Sequence, residues 1–120
     1  MDRRLTGHWG EERAAAFLRR RGYKIFGMNY ACRMGEIDII AKNRKFIVFV
    51  EVKLRKSAAF AEAREFVTPA KQERIRTTAA VWLAENETEL QPRFDVIEIY
   101  APNGPESREV SIRHIEDAFQ

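Results

Sequence analysis

Residues 47–53, "IVFVEVK", place a carboxylate and an ammonium at the end of the most apolar run in the chain. Side chains of a strand alternate between two faces. Ile47, Phe49, Glu51 and Lys53 therefore share one face, and Val48, Val50, Val52 and Leu54 share the other. Both faces begin apolar, the pattern of a central strand covered on both sides. Glu51 and Lys53 then emerge where protein should cover them. A buried charge is costly unless it is paired or binds a metal. This one strand calls for a layered sheet and for partners to its two charges.

The rest of the chain can supply such a sheet. Residues 8–21 read as a helix stopped by Gly22. Strands are predicted at 23–29, 34–42 and 45–55, with Asn43 and Arg44 as a two-residue hairpin turn. Thr68 followed by Pro69 starts a helix that runs to about Asn86, with Ile75, Ala79, Trp82 and Leu83 as its apolar stripe. Residues 93–101 read as a fourth strand, 102–105 as a turn, 109–113 as a short fifth strand and 114–119 as a terminal helix. Residues 56–67 fit either a helix or a loop. The order α-β-β-β-α-β-β-α predicts an α/β class, a mixed β-sheet flanked by helices. At 120 residues and 45% apolar, the chain reads as one domain over 1–120.

The predicted hairpin pairs Lys42 with Lys45. Counting back, Asp38 falls opposite Phe49, and Glu36 opposite Glu51. Glu36, Asp38, Glu51 and Lys53 would then collect on one face, with Asp38 and Glu51 on a diagonal. On the first helix Glu11 lies with Ala14, Ala15 and Leu18, the apolar side, whereas Glu12 points with Arg19 toward water. Lys71 and Gln72 open the second long helix. Several carboxylates on one face repel unless a cation joins them. Mg²⁺ accepts one or two protein carboxylates and fills its other positions with water and phosphate oxygens. The chemistry suited to this set is metal-assisted hydrolysis of a phosphodiester. An internal ion pair between Glu51 and Lys53 is the competing structural reading.

Other features exclude more than they suggest. A formal charge of +3 permits a nucleic-acid partner without arguing for one. The single Cys32 rules out an intrachain disulfide and a cysteine-rich zinc site. The opening residues lack the apolar run of a signal peptide, and no segment approaches the length of a membrane span. A cytoplasmic protein with no membrane contact is the expectation. His8 and His114 have no paired metal-ligand spacing. Trp9 and Trp82 read as core or interface aromatics rather than stacking platforms for bases.

"GEIDIIA" followed by "FVEVKLR" resembles the PD-(D/E)XK nuclease superfamily. With "GHWGEERAA", "VTPAKQ" and "RFDVIEI" the ordered set resembles the bacterial UPF0102 (YraN-like) family across almost the whole chain. Ile37 stands where the superfamily's motif has proline. The resemblance implies a restriction endonuclease-like core related to archaeal Holliday-junction resolvases. It implies that Asp38 and Glu51 bind Mg²⁺ or Mn²⁺, with Glu11 and the Val52 carbonyl as further ligands, and that Lys53 orients the attacking water. Lys71, Gln72, Arg55 and Glu36 match the family pattern, which transfers no role to Arg55 or Glu36; contact with substrate phosphate is inferred for Lys71 and Gln72 from their place at a helix N-terminus, and Arg55 is grouped with them. The implied activity is a metal-dependent endonuclease acting on nucleic acid, DNA in the first instance, and the junction-cutting relatives imply a homodimer. The alternative is a nucleic-acid-binding module that keeps the fold without turnover.

Overall fold

The alternating segment forms the central strand of the sheet, as its two apolar faces require. The computed structural model describes residues 3–56 and 67–120. The helix-or-loop reading of 56–67 falls almost wholly outside the described residues. The elements run α1 (Arg3–Arg20), β1 (Lys24–Cys32), β2 (Gly35–Lys42), β3 (Phe46–Arg55), α2 (Pro69–Glu85), β4 (Gln91–Tyr100) and β5 (Ser111–Phe119). The sheet order is β1-β2-β3-β4-β5; β3 and β4 are parallel and the other neighbours antiparallel. The class is α/β with a mixed five-stranded sheet.

Each face of β3 meets its own helix. Val48 and Val50 pack with Ala14, Ala15 and Leu18 of α1 and with Ile97 and Ile99 of β4. Ile47 and Phe49 pack with Ile75 and Ala79 of α2. Thr68 caps α2, its Oγ1 accepting from the Lys71 amide at 3.2 Å, and Pro69 follows at the first helical position as predicted. No helix among the described residues is long and apolar enough to cross a membrane.

Three local expectations are corrected. The β2–β3 turn is longer than two residues. Asn43 Oδ1 accepts from the amides of Lys45 and Phe46 at 2.9 and 2.8 Å, and the Asn43 amide donates to the Phe46 carbonyl. This side-chain turn moves the register by two, pairing Lys42 with Ile47 and Ile39 with Val50. A shift of two preserves the faces of β3. It brings Asp38 level with Glu51 rather than with Phe49.

The alternation of β2 also breaks at Asp38. Ile39 packs on the α1 side, whereas Ile37 packs on the α2 side. Asn29, at the same level of β1, adopts φ 55°, and around it Met28 and Tyr30 divide between the two faces in the same way. The β1–β2 ribbon thus turns over at one level, and Glu36 ends exposed opposite Ala31, apart from Glu51.

The third correction concerns residues 114–119, which are strand and not helix. Tertiary contacts capture the segment. His114 Nε2 sits 2.6 Å from Asp95 Oδ2, the Asp117 amide donates to Asp95 Oδ1 at 3.0 Å, and Phe119 stacks on Phe94 with ring centroids 5.1 Å apart. Asp117 takes φ 52°, which breaks any helical path.

Gly35 opens β2 with φ 152°, and a Cβ there would lie 2.9 Å from Thr78 Oγ1. Thr78 is buried and its hydroxyl is tied to the Arg74 carbonyl at 2.7 Å, so it cannot yield. Gly35→Ala is expected to cost about 1–3 kcal/mol through overpacking and backbone strain. Thermal denaturation checks this; a variant that melts with the wild type would mean that α2 moves aside freely.

Candidate active site

The turnover at Asp38 gives the site its geometry. The β2–β3 ladder ends at Ile39 and Val50, and the next amide of β3 that β2 would pair, Val52 N–H, donates to Asp38 Oδ2 at 2.8 Å instead. A side chain has taken the place of a backbone acceptor. That bond draws the carboxyl of Asp38 across the strand gap, into hydrogen-bonding contact with Glu51.

Two carboxyl groups in contact in a covered position cannot both ionise cheaply. The pKa of Asp38 is pushed up to about 9, first by burial, then by the hydrogen bond and charge of Glu51, with the Glu11 charge adding to the rise and the Val52 amide opposing it. Burial and the contact with Glu51 thus favour the protonated form of Asp38. Glu51 Oε2 is buried and accepts no hydrogen bond among the described residues. It faces Lys71 Nζ at 3.2 Å as an ion pair only. Lys71 is placed by the cap of α2, and Gln72 is held beside it by donating Nε2–H to the Val67 carbonyl at 2.8 Å.

The sequence-predicted residues thus fall into groups. Glu51 meets both Asp38 and Lys71 directly. Glu11, half-buried on α1, is near enough for its charge to act on Asp38. Lys53 is half-buried one alternation beyond Glu51 and has no hydrogen bond or ion pair among the described residues, so the internal pair with Glu51 does not form. Arg55 is buried and lies 3.5 Å from Glu98 Oε2.

Glu98 extends the polar face and was missed at the level of sequence. It stands beside Lys53 in the parallel register, accepts from Tyr100 Oη at 3.0 Å, and lies 3.8 Å from Arg113 Nη1 on β5. The signal was present: Glu98 sits between Ile97 and Ile99, a charge inside an apolar strand just as Glu51 is. Together these residues occupy the carboxyl ends of the two parallel strands, where open α/β sheets present ligands.

Among the described residues no three Asp, Glu, His or Cys side chains are grouped closely enough to form a metal cage by themselves. Two carboxylates with water and phosphate oxygens suit Mg²⁺ or Mn²⁺, and two carboxyl groups in contact mark where a cation would relieve repulsion. The buried, hydrogen-bond-free Oε2 of Glu51 fits the same reading.

Residues 10–99 match the model of the uncharacterised protein family UPF0102. The chain belongs to that family. A UPF0102 protein of Pelobacter propionicus is 42% identical over 99% of this chain and 85% of its own length. Another, of Caldanaerobacter subterraneus, is 42% identical over 99% of this chain and 98% of its own. A third, of Geobacter sulfurreducens, is 41% identical over 98% and 90%. The matched span of the UPF0102 model includes Glu11, Asp38, Glu51, Lys53, Arg55, Lys71 and Gln72.

Proposed function

We propose that this UPF0102 chain is a metal-dependent endonuclease-like hydrolase of nucleic-acid phosphodiesters, with DNA as the first substrate to test, built on the restriction endonuclease-like plan. One observation carries the reading. Asp38 and Glu51, from neighbouring strands, bring their carboxyl groups together in a covered position, next along β3 to Lys53, which has no ion pair among the described residues. A purely structural role would favour a permanent cation between the two acids, as Arg93 provides for Asp95 elsewhere in the molecule.

Asp38 and Glu51, with the Val52 carbonyl and Glu11, are the residues that would hold Mg²⁺ or Mn²⁺. When bound, such an ion supplies Lewis-acid stabilisation of charge on the phosphate and a more acidic water. Lys53 orients the attacking water and holds positive charge beside the phosphate as its oxygens become more negative. Lys71, with its side chain 43% exposed, lets go of Glu51 to meet a phosphate, with the amides of the first turn of α2 behind it. Gln72 anchors that turn. Arg55, held by Glu98, keeps positive charge at the far end of the same face.

Incubation of the purified chain with a panel of duplex, branched and single-stranded DNA and RNA tests this. Cleavage is expected with Mg²⁺ or Mn²⁺, none with chelator, and a loss of at least about 100-fold in Glu51→Gln, since ligand and charge go together. Undiminished cleavage by Glu51→Gln, or by the wild type in chelator, would remove the assignment. Salt-dependent binding without cleavage would mark the chain as a binding module instead.

A further inference from the structure

We infer that the groove between Phe26 and Trp82 is a docking site for an unpaired base of single-stranded nucleic acid. The inference rests on the reading of the Asp38/Glu51 cleft as a nucleic-acid site for the direction of the strand. Phe26 is 48% exposed, a large apolar ring left open on β1 at the edge of the sheet. Trp82 of α2 lies 6.4 Å from it between centroids, the two planes inclined by 35°. Phe49 packs edge-on against Trp82 at 5.8 Å and fixes the indole from below. The groove holds about 460 Å³ and is also lined by Lys42, Asn86, Glu87 and Thr88.

The polarity of these walls selects the occupant. Lys24 Nζ and Lys42 Nζ lie 5.8 and 4.9 Å from the centre of the Phe26 ring. At the α2 end, Asn86, Glu87 and Thr88 offer acceptors to exocyclic amino groups. A flat aromatic base with a phosphate on one side matches both ends. When the base covers the ring, the two ammoniums turn to the flanking phosphates, exchanging a cation–π contact for an ion pair. A second copy of the chain fits less well, because a two-fold contact through Phe26 would set these lysines against their own copies.

The groove lies on the same side of the sheet as the candidate active site. Trp82 is eleven residues along α2 from Lys71, about 16 Å at 1.5 Å per residue. Ile47, also in the groove wall, is four residues from Glu51, about 13 Å. One strand therefore reaches from the groove to the cleft. Trp82, read from sequence as a core or interface aromatic, serves the core on one edge and the groove on the other.

Trp9→Phe leaves Trp82 as the sole tryptophan and makes its emission a reporter. Titration with a short oligodeoxyadenylate, whose bases carry an exocyclic amino group, in chelator at low salt is expected to quench it saturably. Phe26→Ala should weaken binding roughly 5- to 150-fold, the range for loss of one base–aromatic stack. Phe26→Tyr should retain affinity, and Asp38→Asn should retain groove binding. Oligonucleotide bound by anisotropy with unchanged Trp82 emission, no binding at all, or equal affinity in Phe26→Ala overturns the groove. Quenching that follows protein concentration alone, with dimers in sedimentation, overturns it as well. Groove binding without metal-dependent cleavage by the wild type overturns only the hydrolase reading. Cleavage with unaltered affinity in Phe26→Ala overturns only the groove.

Discussion

Asp38→Asn is expected to abolish metal-dependent cleavage, by about 1,000-fold or more, and at the same time to make the protein more stable above neutral pH. The amide keeps an acceptor for the Val52 N–H, so the strand gap stays bridged. What disappears is the carboxyl whose folded pKa stands near 9 against an ordinary 3.8. Between those values the folded wild type holds a proton that the unfolded chain has released. Stability is therefore fullest below about pH 4 and declines as pH rises toward 9. From pH 6 to 8, one such proton is worth at most about 2.7 kcal/mol. The nearby ammonium of Lys71 and partial contact with solvent reduce this to about 1–2 kcal/mol. Thermal melts at the two pH values should show the wild type losing stability and Asp38→Asn staying nearly level. Mn²⁺ must displace the proton of Asp38, so its stabilisation of the wild type should grow with pH and vanish in the variant. Parallel pH slopes in the two proteins would mean that Asp38 is not the protonated member of the pair, and Mn²⁺ stabilising both equally would mean the ion binds elsewhere.

Strand β3 was legible because its pattern is local. Alternation in residues 46–55 placed Val48 and Val50 on one helix and Ile47 and Phe49 on the other, and it put Glu51 under cover. Thr68 and Pro69 were legible for the same reason, since a cap is a property of four adjacent residues. The exact meeting of Asp38 with Glu51 was not legible. It depends on Asn43 folding its side chain into the turn, and on the ribbon turning over at Asn29 and Asp38. Both are choices between nearly equal local conformations, decided by what packs on either side. The terminal strand failed for a stronger reason. "HIEDAF" has the composition of a short helix, but Asp95, nineteen residues before His114, accepts from it and from Asp117, and a buried acceptor outweighs local propensity.

The same acceptor makes Asp95→Ala the most damaging single substitution expected outside the cleft. Asp95 is fully buried on β4. Its two oxygens accept from Arg93 Nε at 2.8 Å and Nη2 at 2.7 Å, and from the Asp117 amide, with His114 Nε2 at 2.6 Å. Arg93 in turn donates to Tyr23 Oη at 2.6 Å and lies 4.5 Å from the centre of the Phe46 ring. Burial alone would raise the Asp95 pKa, but the bonds from His114, Arg93 and Asp117 outweigh it and hold the carboxyl below its ordinary range. Removing the carboxylate leaves a guanidinium, an imidazole and a backbone amide under cover with their acceptor gone. Breaking a buried pair from one side costs about 3–5 kcal/mol, a large part of the ~5–15 kcal/mol that holds a domain together. The melting temperature should fall by about 10 °C or more. Adding Arg93→Met to Asp95→Ala should recover part of the loss, because no buried cation then remains, but not all of it, because His114 and the Asp117 amide still lack an acceptor. The depressed pKa also fixes the acid limit. The stability that Asp95 contributes is present above about pH 4 and is lost as pH falls below it, so acid unfolding should begin at higher pH in Asp95→Asn than in the wild type. If Asp95→Ala melted within a degree or two of the wild type, the ladder to β4 and the Phe94–Phe119 stack would suffice to hold β5, and the strand at 114–119 would need another explanation.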